Sequence, residues 1–187
     1  MTDLTHISWD QFPSDVQPRD RVARNFRFYE LTRSEIAERL MIDNTFPTIV
    51  ELRAAIYLCR RILQPVRDEF GSYTPNSVFR SQELERVLKN KRADWASKSQ
   101  HTKGQACDIE IPGVPTMELS RWVSEHLDFD QVICECYNIA QGANSGWLHV
   151  SLVPPGMGHN RMSILSYVID PLKGKYVYVN GLKESPQ

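Results

Sequence analysis

A regular repeat of apolar residues between positions 49 and 70 is the feature that most constrains how this chain can fold. The repeat has a spacing of three or four, which is the period of an α-helix with one apolar face. Its members are Ile49, Leu52, Ile56, Cys59, Leu63, Val66 and Phe70. Thr48 and Glu51 have the spacing of an N-terminal capping box, and Gly71 follows the last apolar position as a stop signal. The pattern predicts a long amphipathic helix over residues 49–70.

The remaining segments predict helices early in the chain and strands later. Further helices are expected over 32–41, after Ser81 and over 116–127. Strands are expected over 107–111, 132–136, 147–153, 164–169 and 176–179. This order predicts an α+β fold in which N-terminal helices pack on a small, mostly antiparallel sheet. Residues 1–25 are polar and interrupted by proline, so we predict an N-terminal arm over 1–25 and a single domain over 26–187.

Charge and composition exclude several classes of protein. A net charge of −1 and a pI near 6.5 argue against a nucleic-acid partner. Membrane spans need about 18 consecutive apolar residues, and the sequence contains no such stretch. The first residues resemble no ordinary signal peptide, which predicts synthesis in the cytoplasm. Four scattered cysteines, three of them in apolar segments, predict free buried thiols in a reducing compartment. We expect a monomer.

Three residues in two short stretches have the chemistry of metal ligands. His101 and Asp108 lie seven positions apart, and Gly104 between them lets the backbone turn so that both side chains can converge. His149 lies in a later predicted strand and completes the set if the two strands are neighbours. Two imidazoles and one carboxylate suit a catalytic zinc ion with one open position. Each histidine alone could equally be a hydrogen-bonded structural residue.

These stretches resemble a known family. Ser99-x-His101-x-x-Gly104-x-Ala106-x-Asp108, followed by Trp147-x-His149-Val150-Ser151, is similar to the motif of the zinc D-alanyl-D-alanine carboxypeptidases, which share the lysostaphin/hedgehog-type zinc fold. Phe79-Arg80-Ser81 resembles the Tyr-Arg-Ser segment that precedes that motif, and phage-encoded members look similar over about residues 26–180. The resemblance implies a small α+β fold, His101, Asp108 and His149 as zinc ligands, and cleavage of peptidoglycan stem peptides.

Such a hydrolase needs a general base near the attacking water. Many relatives carry an acidic residue three positions before the last ligand, where this chain has Gly146. Glu135 is the predicted base, because it alternates with apolar neighbours and needs either a polar site or an ion-pair partner. Asp130 is the alternative base. By resemblance, Arg80 is predicted to hold a substrate carboxylate or the developing oxyanion, and a surface salt bridge is the competing interpretation.

These observations predict a zinc metallopeptidase, either a D,D-carboxypeptidase or an endopeptidase, acting on peptidoglycan peptides. A cell-wall lytic enzyme of a phage, acting in lysis or from the virion, is the predicted context. The alternative is a non-catalytic zinc-stabilised binding or virion module of the same fold. Gly146 and the lysine-rich Leu88-Lys89-Asn90-Lys91, where relatives often carry a glycine-rich loop, favour that alternative.

Overall fold

A computed structural model of the chain describes residues 1–170 and 172–183. The predicted domain 26–187 also includes Pro171 and residues 184–187, which lie outside the described residues. The α+β fold class is confirmed. The α-helices are α1 (Glu35–Leu40), α2 (Ile49–Leu58), α3 (Gln64–Phe70), α4 (Gln82–Leu88) and α5 (Thr116–His126). The strands are β1 (Arg21–Ala23), β2 (Phe26–Arg27), β3 (Ala106–Ile109), β4 (Gln131–Glu135), β5 (Trp147–Ser151), β6 (Ser163–Asp170) and β7 (Lys175–Asn180).

The long predicted helix is confirmed, with one local deviation. The Thr48 side chain accepts a hydrogen bond from Val50 N at 3.1 Å at its start, and Gly71 follows its last residue. One π-helical turn, Cys59–Leu63, joins α2 to α3. Pro65 lies two residues after this turn, and proline can neither donate a helical hydrogen bond nor fit against the carbonyl four residues earlier. The wider turn therefore lies where a regular α-helix would clash with the proline ring.

The main sheet has five strands in the order β3-β5-β4-β6-β7. All neighbouring pairs are antiparallel except β4 and β6, which are parallel, so the sheet is mixed and mostly antiparallel, as predicted. One face of β3, β5 and β4 is fully buried and packs into the same core as the long helix. That face carries Cys107, Ile109, Val132, Leu148 and Val150. The opposite face of these strands carries the polar residues of the candidate site.

The N-terminal segment contributes to the core as well. Phe12 and Val22 are fully buried, although most residues of 1–25 are polar. Arg60 on the π-helical turn donates hydrogen bonds to the carbonyl oxygens of Val22 at 2.8 Å, Ile7 at 2.5 Å and Leu4 at 3.0 Å. These bonds tie the segment to the long helix. Residues 1–25 therefore pack against the core. Their predicted separation from the domain 26–187 stays a prediction.

Two further predictions concern the cysteines and membrane-spanning segments. The four cysteines are free thiols, and Cys59, Cys107 and Cys134 are buried. No helix in the described part of the chain has the length and apolar character needed to cross a membrane.

We expect Arg60→Met to lower the free energy of unfolding by about 3 kcal/mol, because three carbonyl oxygens lose a charged hydrogen-bond donor. Denaturant unfolding followed by circular dichroism measures this change. Arg61→Met is the matched control, since the neighbouring Arg61 side chain is 56% exposed and pairs with Asp128 at the surface. It should alter the free energy of unfolding by less than about 0.5 kcal/mol. Equal effects of the two substitutions would contradict this role of Arg60.

Candidate active site

Strand pairing brings the predicted site residues to one face of the sheet. Asp108 on β3 lies directly opposite His149 on β5, and Ile133 on β4 lies opposite His149 on its other side. Glu135 lies opposite Trp147 in the same ladder. Because side chains alternate between the two faces of a strand, the side chains of these five residues of β3, β4 and β5 point to the same side of the sheet. His101 joins them from a short 3₁₀ helix, Gln100–Lys103, that precedes β3.

Three side chains meet with the spacing of a metal site. His101 Nε2 lies 3.3 Å from both His149 Nδ1 and Asp108 Oδ1, and His149 Nδ1 lies 2.9 Å from Asp108 Oδ1. Ligand atoms about 2.0–2.2 Å from a tetrahedral zinc ion lie about 3.3–3.6 Å from one another. Within the described residues, these three form the one group of histidine, cysteine and acidic side chains arranged so that it could hold a metal ion. A small expansion of the triangle suffices for zinc.

A backbone contact presets His101 for metal binding. Its Nδ1 lies 2.7 Å from the carbonyl oxygen of Val78, which can only accept, so Nδ1 carries the proton and Nε2 presents its lone pair to the site. Burial lowers the pKa of His101, against the opposing effect of the Asp108 charge. The ring therefore favours the neutral form that a metal ligand requires.

Asp108 is held as a carboxylate although it is almost completely buried. Burial alone would raise its pKa, but charge interactions and hydrogen bonds with His101 and His149 lower the pKa well below its usual range. Its Oδ1 faces the two imidazoles, and its Oδ2 accepts a hydrogen bond from Nη2 of Arg80. Asp108 can thus bind a metal through one oxygen while Arg80 holds the other.

Arg80 contacts protein groups on all three of its nitrogens. Nε donates to Ser77 Oγ at 2.7 Å, Nη1 lies 3.4 Å from the Glu85 carboxylate, and Nη2 reaches Asp108. The side chain is 20% exposed and lines the cavity above the site. The competing interpretation of a surface salt bridge does not fit this degree of burial. The geometry favours orientation of Asp108, and the predicted contact with a substrate oxygen stays a prediction.

The segment that carries Arg80 is positioned from two sides. Ser77 and Asp108 form an antiparallel bridge, with Asp108 N donating to Ser77 O at 2.8 Å. On the other side, the buried Asn44 donates to Phe79 O at 3.1 Å and accepts from Ser81 N at 2.7 Å. The Ser81 hydroxyl in turn caps α4, as predicted, by accepting from Leu84 N.

Glu135 lies on the same face of the sheet as Asp108 and His149. It lies diagonally across from His149, a position about 7–8 Å away between Cα atoms, and it lines the same cavity. No hydrogen-bond donor or cation contacts its carboxylate in the part of the chain that the structure describes. Desolvation raises the pKa of Glu135, although His149 partly opposes this shift. A carboxylate with a raised pKa is a better proton acceptor.

Asp130, the alternative base, is already occupied. It is 2% exposed, and it accepts hydrogen bonds from Gln100 Nε2 at 3.0 Å and from Arg161 N at 2.9 Å. The Arg161 guanidinium also binds both of its oxygens. Asp130 thus anchors the loop between β5 and β6, and both of its oxygens are bound by protein donors.

Glycine is required at position 146 for a structural reason that the sequence did not reveal. Its φ is +68°, and a Cβ at this position would lie 2.0 Å from the carbonyl oxygen of Glu135 and 2.7 Å from Tyr137 N. No side chain fits there. The missing acidic residue at position 146 therefore follows from close contact between the two chain segments, and it is not evidence for a lost catalytic base.

The site opens into a cavity of about 960 Å³. Its wall includes the predicted site residues together with groups that the sequence reasoning did not assign to it, such as Lys98, Lys103 and Tyr178. His159 and Trp147 also line it. Sequence alone gave no signal for Tyr178, because its strand β7 reaches the site only through pairing with β6. The sequence also did not reveal that Glu85 is buried near the site. Glu85 lies on α4 among other charged residues, a pattern that usually indicates a solvent-exposed helix face.

An α+β fold with a largely buried His-Asp-His cluster at the base of an open cavity is typical of a zinc-dependent peptidase. The sequence model of the Peptidase M15 family matches residues 24–151, more than half of the chain and all three candidate ligands. The chain belongs to this family, whose members are zinc-dependent metallopeptidases. A comparison with curated proteins found no match.

We expect Gly146→Ala to lower the free energy of unfolding by more than about 2 kcal/mol, because the new Cβ overlaps backbone atoms that cannot easily move. Chemical denaturation measures the loss. The matched control is Gly174→Ala, since Gly174 has a similar φ of +60° but open space around its Cβ position. It should cost only about 1 kcal/mol of backbone strain. A fully stable Gly146→Ala protein would show that an acidic side chain could have been accommodated.

Proposed function

We propose that this protein is a zinc peptidase that hydrolyses peptide bonds in peptidoglycan stem peptides or cross-links. One observation supports this proposal above all. Three ligand atoms lie 2.9–3.3 Å apart at the base of a cavity, and a carboxylate without a protein partner among the described residues projects from the same face of the sheet. Membership of the Peptidase M15 family supports the reaction and the type of substrate.

In this proposal, His101, Asp108 and His149 hold the metal. Bound there, zinc would polarise the scissile carbonyl and lower the pKa of a coordinated water molecule. Glu135 accepts the proton of the attacking water and later returns it to the leaving amine, so that one carboxylate serves both halves of the reaction. Arg80 holds Oδ2 of Asp108 so that Oδ1 stays directed at the metal position.

The substrate and its setting rest on the family relationship and on the shape of the site. A cavity of about 960 Å³ can hold several residues of a peptide. A cell-wall lytic role, in phage lysis or as part of a virion, is the setting that we propose from the resemblance of the two motifs. The non-catalytic alternative drew much of its support from Gly146, and the close contact at that residue explains the glycine without loss of function.

Mass spectrometry of purified peptidoglycan after incubation with the zinc-loaded protein tests the proposal and identifies the bond that is cut. We expect Glu135→Gln to reduce the rate of peptide release at least about 100-fold while one zinc ion per chain is retained, because the amide cannot accept the proton. Glu118→Gln, an exposed change on α5, should leave the rate unaltered.

A chelator should abolish peptide release by the wild-type protein, and added zinc should restore it. Full activity of Glu135→Gln would refute the assignment of the base. A zinc-loaded wild-type protein that releases no peptide would favour the non-catalytic module instead.

The rate should also depend on pH in a direction set by Glu135. Because burial raises the pKa of this base, the carboxylate becomes protonated as the pH falls through a value above the ordinary glutamate pKa of about 4.3. We therefore expect the acidic limb of kcat/KM to have its midpoint above pH 4.3. Steady-state rates measured between about pH 4 and pH 9 give the profile. An acidic limb at or below the ordinary value would contradict a buried glutamate base.

A further inference from the structure

Glu85 is a fully buried carboxylate that the proposed reaction does not use. It lies on α4, and its side chain has an exposed fraction of 0%. Its Oε2 lies 2.7 Å from Lys89 Nζ and accepts a hydrogen bond from Ser97 Oγ at 2.8 Å, while its Oε1 lies 3.4 Å from Nη1 of Arg80. Burial opposes ionisation, but the bonds from Lys89 and Ser97 outweigh it and lower the pKa of Glu85. It is therefore an anion at neutral pH.

The contacts of Glu85 continue to the candidate metal site. Arg80 lies between two carboxylates, with Nη1 towards Glu85 and Nη2 towards Asp108. The charges along this path alternate, from Lys89 through Glu85 and Arg80 to Asp108. A guanidinium group is rigid and planar, so holding one of its ends fixes the direction in which the other end donates.

We propose that Glu85 is a positioning residue which, acting through Arg80, keeps the Asp108 carboxylate oriented for the metal. This inference rests on the proposed function. Metal sites depend on the groups that hold their ligands, and loss of such a group commonly weakens metal binding or activity by about 10–100-fold. Glu85 acts one contact further from the metal, so its effect belongs at the lower end of that range.

Two physical effects act in the same direction. Without Glu85, the Nη1 end of Arg80 is no longer held, and the guanidinium can rotate around Asp108 towards Oδ1, the atom that faces the metal position. The charge balance changes as well. Lys89, Glu85, Arg80 and Asp108 together are neutral, whereas without the Glu85 charge these groups carry one net positive charge and attract a divalent cation less strongly.

A purely structural role makes a different prediction. Glu85 also connects α4 to the segment before the site, because Ser97 Oγ donates a hydrogen bond to Glu85 and Ser97 N donates one to Oε1 of Gln82, also on α4. If this connection were the whole role, changes at Ser97 and at Glu85 would both lower stability without a specific effect on metal affinity. Metal affinity therefore separates the two roles.

The test is the zinc dissociation constant of the purified full-length chain, measured by competition with a chromophoric chelator. Glu85→Gln keeps the size and the hydrogen bond from Ser97, and we expect it to bind zinc about tenfold more weakly than wild type. Ser97→Ala is the matched control and should remain within about twofold of wild type, since it does not contact Arg80. Cooperative thermal unfolding verifies that each variant is folded. Wild-type affinity in folded Glu85→Gln overturns the inference.

A double substitution tests whether the effect passes through Arg80. In an Arg80→Lys background the three-way contact of the guanidinium is already lost, so adding Glu85→Gln should change zinc affinity by less than about twofold. An undiminished tenfold loss in that background overturns the inference. If Glu85→Gln does not fold, Glu85→Asp serves instead, since it keeps the charge but withdraws the carboxylate. Zinc affinity should then fall severalfold, and an unaltered value counts against the inference.

Failure of this inference differs from failure of the proposed function. A wild-type chain that binds no zinc refutes the metal site itself. A wild-type chain that binds zinc but releases no peptide from peptidoglycan refutes the peptidase while leaving the metal site intact. Neither result depends on any Glu85 variant.

Discussion

Strand β5 pairs with β3 on one side and with β4 on the other, and this double pairing underlies the whole candidate site. It sets His149 opposite Asp108 and one diagonal step from Glu135. A shift of either ladder by one residue would turn the shifted strand's site residue into the apolar core and a core residue out to the cavity. The buried alternation of Cys107, Ile109, Val132 and Val150 on the opposite face opposes such a shift. Core packing and the site therefore depend on the same register.

The second constraint is electrostatic. Asp108 and Glu85 are both buried, and each is costly to ionise without a compensating charge. Arg80 compensates both, and Lys89 adds a second cation to Glu85. Glu135 differs from them, because it faces the cavity with no cation bound to its carboxylate among the described residues. Two carboxylates near the site are thus held by cations, whereas a third faces the cavity.

Much of the fold could be predicted because its signals are local. The helix over 49–70 follows from its apolar repeat, and Ser81 and Thr48 cap helices as their spacing predicts. The five strands of the main sheet lie within one or two residues of their predicted positions, since alternation marks them, whereas the short strands β1 and β2 were not predicted. The π-helical turn before Pro65 was not foreseen, because the apolar repeat continues through it without a break. The parallel pairing of β4 with β6 was not foreseen either, because it depends on distant segments. The apolar side chains of Phe12 and Val22 were also underestimated, because polar residues surround them in the sequence.

By itself, the sequence determined which residues can bind a metal and where the helices and strands begin. Those properties depend on residue chemistry and on periodicity over a few positions. Only the tertiary structure decided how these residues act together, because contacts between segments far apart in the chain are independent of local pattern. It bound Asp130 to Arg161, directed Arg80 towards Asp108, explained Gly146 through the Glu135 carbonyl, and revealed Glu85 behind Arg80.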